Sequence, residues 1–363
     1  MKKKTSIFYL ALGVALIALL LYARNKIQFN WSVFVEQLKL LDWRLIGLGV
    51  ALILLGYVVR AFRWALFLKP ARKVVFPSRM WFDLLGAQVI GFTGVALLGR
   101  AADLTRPYIV ARRIKLPLSS QVAVYVVERM FDLGATALIF STVLFFAPDR
   151  ATLPHPELLR HIALIGLAGT AGLAILATAV RISGNAVASA AEKILGKLSE
   201  SLGASVAAKI TAFRDGLDML ASLKDVVAAL LLSLLMWVFI TCAYLVTIRS
   251  FVDSPPLHSI TLARCLVLMA AGMAASIVQL PVIGWFTQIA LIAAATQQLF
   301  AAAWEPALGC AAMLLIVTFL CVIPVGLVWA RFDHISLRKV SHESEDAGVK
   351  ALTPPEPVSQ HQS

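Results

Sequence analysis

Charge is scarce in this chain: Asp, Glu, Lys and Arg supply only 15% of 363 residues. Hydrophobic types supply 60%, against roughly 45–50% in an average globular domain. That balance excludes an ordinary soluble protein and indicates a polytopic membrane protein. Metal-ligating and redox spacings are missing as well. Four cysteines, Cys242, Cys265, Cys310 and Cys321, lie singly in apolar stretches with no C-x-x-C, which argues for free buried thiols rather than disulfides or a zinc site. The six histidines fall in loops, at segment ends or in the tail, so neither a metal cluster nor a proton relay is expected at the membrane midplane. No G-x-x-x-x-G-K-[ST] phosphate loop and no G-x-S-G serine nucleophile occur, and no cofactor is implied.

What charge there is leans one way, 33 basic against 20 acidic residues, a net of +13. The positive residues cluster beside apolar runs, as the positive-inside rule places them, and do not form a basic groove. The expected anionic partner is therefore membrane phospholipid, not nucleic acid.

Apolar runs at about 7–22, 45–68, 121–147, 162–180, 226–248 and 307–330 are expected to cross the membrane. The first follows Lys2, Lys3 and Lys4, lacks an A-x-A exit and reads as a signal anchor with a cytoplasmic N-terminus. Trp31 to Leu41, bracketed by Trp31 and Trp43, reads as an amphipathic helix in the outer interface. The stretches 69–79 and 100–118 are both strongly basic, so the glycine-rich segment 81–98 between them is expected to dip in and return as a re-entrant hairpin. A second hairpin, 261–303, broken at Pro281–Gly284, follows from parity if both termini are cytoplasmic. Paired broken segments in two halves mark the substrate path in many transporters; close-packed glycine-rich helices would give the same composition. Residues 183–223 form a cytoplasmic amphipathic stretch. The domain runs over 1–335, and 336–363, rich in Pro, Glu, Ser and Gln, is expected to be disordered.

A charge inside an apolar span costs about 2.5–3.5 kcal/mol on insertion scales, so each one is informative. Arg60 and Arg63 stand one helical turn apart near the end of the second span. They either snorkel to headgroups or fork onto a lipid phosphate. Glu128, Arg129 and Asp132 lie inside the third span with the two acids at i, i+4, and form either a structural ion pair with nearby arginines or a polar network lining a cavity. In the run GFTGVALLGRAADLTRPY from Gly91, Arg100 and Arg106 offer forks for a phosphate, with Asp103 between them to orient the pair.

Four elements, R-A-F-R-W at 60–64, L-G-R-A-A-D-L-T-R at 98–106, R-R-I-K-L-P-L-S at 112–119 and V-V-E-R-M-F-D-L at 126–133, occur in the order and spacing of a known family. Together they resemble the lysylphosphatidylglycerol synthase transmembrane region, a family of flippase-like integral membrane proteins, over roughly residues 5–335. The chain departs from the family pattern at Leu98, Ala102 and Asp103, and at Gln288, where P-V-I-G-W-F-T-Q from Pro281 replaces an element ending in an acid. The resemblance implies an all-α inner-membrane bundle of six crossings and two hairpins that moves or holds an anionic or aminoacylated lipid, or a lipid-linked intermediate, between leaflets. Arg60, Arg63, Arg100 and Arg106 would bind the headgroup, Asp103, Glu128, Arg129 and Asp132 would form the buried network, and Pro281 and Gln288 would mark the second hairpin. Synthesis is not expected, because the family's synthases carry a separate soluble aminoacyl-transfer domain and the 33 residues after Ala330 are too few for one. The rival reading is a non-transporting accessory subunit that docks a lipid- or glycan-synthesis enzyme.

The topology is testable. Single cysteines at Ser78 and Ser119 in a cysteine-free background should both resist an impermeant thiol reagent in intact cells. Labelling of either from outside would break the assignment of both basic stretches to the cytoplasm.

Overall fold

A computed structural model describes residues 30–68, 80–153, 155–197, 199–218, 222–275, 283–337, 339, 340 and 343. The expected first span at 7–22, the basic loop 69–79, Pro281 and the tail beyond 343 lie outside the described residues. Among those residues the secondary structure is entirely helical, the form in which a segment surrounded by hydrocarbon satisfies its own backbone. Among the described residues five helical stretches are long and apolar enough to cross a membrane: Trp43–Phe67, Trp81–Leu98, Ser120–Phe146, Lys224–Arg249 and Trp304–Phe332.

The first helices are set by their caps. The Asn30 side chain accepts from the backbone of Ser32 and Val33 and starts α1, Trp31–Lys39; Asp42 accepts from Arg44 at 2.9 Å and starts α2, Trp43–Phe67. At 25 residues α2 is about 37 Å long. After it come α3, Met80–Leu98, a tight turn at Gly99–Ala102, α4, Thr105–Ile114, and α5, Leu118–Phe146. Then α6, Pro156–Gly196, is kinked at Ser183, and α7, Glu200–Asp218, packs back on it. A reciprocal Ser222–Asp225 capping box opens α8, Leu223–Arg249. The chain ends with the short α9, Pro255–His258, then α10, Leu262–Ala275, α11, Ile283–Phe300, α12, Trp304–Leu315, a π-helical turn at Ile316–Leu320, and α13, Val322–Phe332.

Helices α2 and α8 run antiparallel along the centre. Asp42 donates its N–H to the Ser250 carbonyl at one end, Gly49 faces Thr247, and Gly56 faces Met236 further down. At the end where α2 begins, Asn30 donates to Glu305 and Thr261 donates to Asp149 at 2.6 Å. At the opposite end Trp64 Nε1 donates to Gln121 at 3.1 Å, and Arg113 pairs with both Asp83 and Asp333.

The segment 81–98 does not contain a hairpin of its own. It is one unbroken helix, and 100–118 is not a loop, because its residues 105–114 form α4, the return limb. Asp83 meets Arg113, Gly91 faces Arg106, and Gly94 faces Ala102, so α3 and α4 run antiparallel with their open end among the basic residues. The glycines read as breaks are contact points: Gly86 admits the Trp329 indole, and Gly91 lets α4 approach until Arg106 lies against the α3 backbone. Helices α10 and α11 make the second hairpin. Gly272 faces Ile292, and the Arg264 guanidinium lies 5.8 Å from the Phe300 ring. Its open end lies at the opposite end of the bundle, where Arg264 comes within 4.0 Å of Asp149. The unit α2, α3–α4, α5 is thus repeated upside down by α8, α10–α11, α12–α13.

The expected disordered tail also begins too early. The chain reverses at His334, held in the left-handed region at φ 52°, and Val340 is buried in the same apolar cluster as Ile109 and Val110. Polar composition hid that one apolar anchor. The four cysteines are unpaired; Cys265 and Cys310 are buried, Cys242 and Cys321 half-buried.

The α3–α13 contact depends on Gly326, where a Cβ would fall on the Thr93 hydroxyl and 2.6 Å from the Val89 carbonyl oxygen. Gly326→Leu should destabilise by about 1–3 kcal/mol or more, whereas Gly169→Leu, with open space around it, should be neutral. Melting curves of the two purified variants in detergent check this; equal Tm values would contradict the packing.

Candidate functional site

Helix periodicity places Glu128 and Asp132 on one face of α5, and Arg60 and Arg63 on one face of α2 opposite them. Arg106 enters from α4. The five side chains meet in one buried cluster. Glu128 Oε1 accepts from Arg63 Nη2 at 2.6 Å, Arg106 Nη1 at 3.1 Å and Arg60 Nη1 at 3.3 Å, and Oε2 lies 2.5 Å from Arg106 Nη2. Asp132 Oδ1 accepts from Arg63 Nη1 at 2.6 Å, and Oδ2 lies 3.4 Å from Arg60 Nη1. The rest of the shell is polar or aromatic: Arg63 Nη1 donates to Ser233 at 2.5 Å and Arg106 Nη1 to Gln88 at 2.9 Å. The Arg106 guanidinium lies 4.7 Å from the Trp64 ring, 5.2 Å from Phe92 and 5.4 Å from Tyr125, and Arg60 lies 4.7 Å from Phe92.

Of the arginines expected to bind a headgroup, Arg60, Arg63 and Arg106 pair with Glu128 and Asp132, the ion-pair alternative for those acids. Arg60 and Arg63 belong to the network. Arg63 is only 1% exposed and holds two carboxylates, so its fork is spent. Arg129, expected inside the network, has a side chain 42% exposed, stands 3.9 Å from Asp132 and stacks over Tyr125 at 5.0 Å. The side chain of Arg100, at the hairpin tip, lies outside the described residues, so its pairing through Asp103 has no structural account. Pro281 lies outside them too. Gln288 is half-buried on α11 and makes none of the cluster's hydrogen bonds.

Beside the cluster opens a cleft of about 240 Å³. It is lined by Gly91 and Phe92 of α3, Asp103 just after the turn, Arg106 of α4, Tyr125 and Arg129 of α5, and Phe319. Phe319 comes from the π-helical turn, an irregularity common at functional sites. Among the described side chains around cluster and cleft, the four arginines Arg60, Arg63, Arg106 and Arg129 face the three carboxylates of Asp103, Glu128 and Asp132, one positive charge in excess.

Sequence reasoning missed the roles of Gln88, Ser233, Tyr125, Phe92 and Phe319. Gln88 carried a signal, a lone amide in an apolar helix; Ser233 and the aromatics resemble ordinary span residues and carried none.

The fold and site define a polytopic α-helical membrane protein with an inverted repeat and a buried arginine–carboxylate cluster in its first half. The sequence model of the family described as Lysylphosphatidylglycerol synthase TM region matches residues 7–328, and the chain belongs to that family. No curated protein and no solved structure matches the chain significantly.

Because Glu128 bonds three arginines, Glu128→Gln should destabilise the bundle by about 3–5 kcal/mol through cations left buried and unpaired. Arg129→Gln breaks only a long, half-exposed pair and should cost under about 1 kcal/mol. Thermal unfolding in detergent separates them; a Glu128→Gln protein as stable as Arg129→Gln would contradict the cluster's structural weight.

Proposed function

We propose that the chain binds the phosphate of an anionic or aminoacylated phospholipid, or of a lipid-linked intermediate, in the Arg106–Arg129 cleft and carries it between leaflets of the inner membrane. The observation that carries this reading is the excess positive charge in a cleft bounded by α3, α4, α5 and the π-helical turn. Arg129, half-exposed and held only by a long pair with Asp132, keeps donors available to an anionic ligand. Family membership supports a lipid-related role.

In this reading the basic end, with Arg112, Arg113 and Lys115, faces the cytoplasm, as do both termini, and both hairpins re-enter the bilayer without crossing it. The inverted repeat supports rocking of the two halves about the cleft, since opposed repeats can exchange environments by a rigid movement. No nucleotide takes part, and the role assigned to the chain is binding and movement without chemistry on the headgroup.

One observation favours the accessory-subunit reading: Ile194, 65% exposed beside Lys193 on the α6–α7 pair, offers a docking surface for a lipid-synthesis enzyme. Flipping in proteoliposomes discriminates the two. Purified protein should accelerate transbilayer movement of phosphatidylglycerol or its aminoacylated form, and Arg129→Gln should lower that rate at least several-fold while inserting normally. Rates equal to protein-free vesicles for every headgroup would shift the assignment to the accessory role.

A further inference from the structure

The last described segment is a strap. At the end of α13 the chain turns back through His334, where Ile335 donates to the Ala330 carbonyl at 2.9 Å, and runs against α4. Val340 is its apolar anchor, with Ile335 and Leu337 packed against the same cluster. Its described polar contacts fall on α4 or within the segment itself. Tyr108 Oη donates to Glu343 Oε2 at 2.9 Å, Arg112 Nη1 stands 3.6 Å from the same oxygen, and Lys339 Nζ is 3.9 Å from Oε1. Asp333 pairs with Arg113, which also holds Asp83.

A phenol hydroxyl donating to an oxygen with a guanidinium 3.6 Å away is an arrangement that suits a phosphodiester, and here a carboxylate fills that position. The site lies at the open end of the first hairpin, just before α5 enters its apolar run, with Arg112 and Lys115 exposed. In the orientation proposed above, that end lies at the level of lipid phosphates. The strap's ionic contacts are weak: the Arg112 side chain is 70% exposed and that of Glu343 is 33% exposed, so a phosphate at high local density replaces what they contribute.

We infer that Tyr108 and Arg112 form a second anion site, separate from the cleft, for the phosphodiester headgroup of an anionic lipid, and that Glu343 occupies it in the strapped state. Anionic lipid then competes Glu343 off and frees the strap from α4. Since the strap joins the last helix of the second half to the hairpin of the first, its release loosens a tie between the two halves. This inference requires the basic end to lie at a membrane surface but does not require transport.

Hydrogen exchange of residues 335–343, measured on the full chain in nanodiscs, tests it. Exchange should be roughly two- to fivefold faster with phosphatidylglycerol present than in phosphatidylcholine alone, the range expected for release of weak surface pairs. Glu343→Gln should show the faster exchange already in phosphatidylcholine, and Arg112→Gln should lose the response to phosphatidylglycerol. Inorganic phosphate added to phosphatidylcholine nanodiscs should have little effect. Equal exchange in both lipids, or a Glu343→Gln strap as protected as wild type, would overturn the inference; release by free phosphate as strong as by phosphatidylglycerol would overturn its assignment to lipid. A normal strap response in a protein inactive for flipping would count against the proposed transport alone.

Discussion

The structure hangs on the burial of Glu128. A carboxylate in the middle of an apolar bundle must be neutralised, and this one is met by three guanidinium groups from two other helices. Each arginine would be equally costly alone. The requirement is mutual: α2, α4 and α5 must meet at one depth, and the turn at Gly99–Ala102 must bring α4 back along α3 far enough for Arg106 to arrive. The ion cluster fixes the geometry of the first half more tightly than apolar packing alone, since apolar side chains would tolerate a sliding register and a shared carboxylate does not.

The two halves are alike in topology and unlike in chemistry. Hairpin α3–α4 brings Arg106 and Gln88 to the cluster, whereas in α10–α11 the charged residue among the described ones is Arg264, at the open end, and Gln288 stands where the family pattern has an acid. The electrostatic attraction for an anion therefore belongs to the half whose hairpin opens at the basic end. In an inverted repeat such asymmetry makes the two orientations of the site electrostatically unequal.

Much of this was legible in the sequence because buried charge is expensive and therefore conspicuous. Arg60, Arg63, Arg106, Glu128 and Asp132 could be singled out, and the basic stretches on both sides of 81–98 pointed to a chain that returns to its starting side. Helical phase was available but not fully used. Successive residues turn by about 100°, so Arg129 points away from Glu128, keeps only a long i, i+3 pair with Asp132, and lines the cleft. The limits of the first hairpin were misplaced because glycines mark both breaks and close contacts, and only the neighbours Trp329 and Arg106 decide which. The π-helical turn and the strap's anchor at Val340 have no local signature, since each depends on what packs against it.

The central claim is that a phospholipid phosphate completes the charge of the Arg106–Arg129 cleft. Native mass spectrometry of the purified chain, released from mixed micelles of phosphatidylglycerol and phosphatidylcholine, measures this directly. The account predicts preferential retention of phosphatidylglycerol, reduced in a chain carrying both Arg129→Gln and Arg106→Lys, lost when Arg112→Gln is added to these, and kept in Glu343→Gln. Equal retention of the two lipids by the wild-type chain, or undiminished preference in the doubly substituted one, would contradict it.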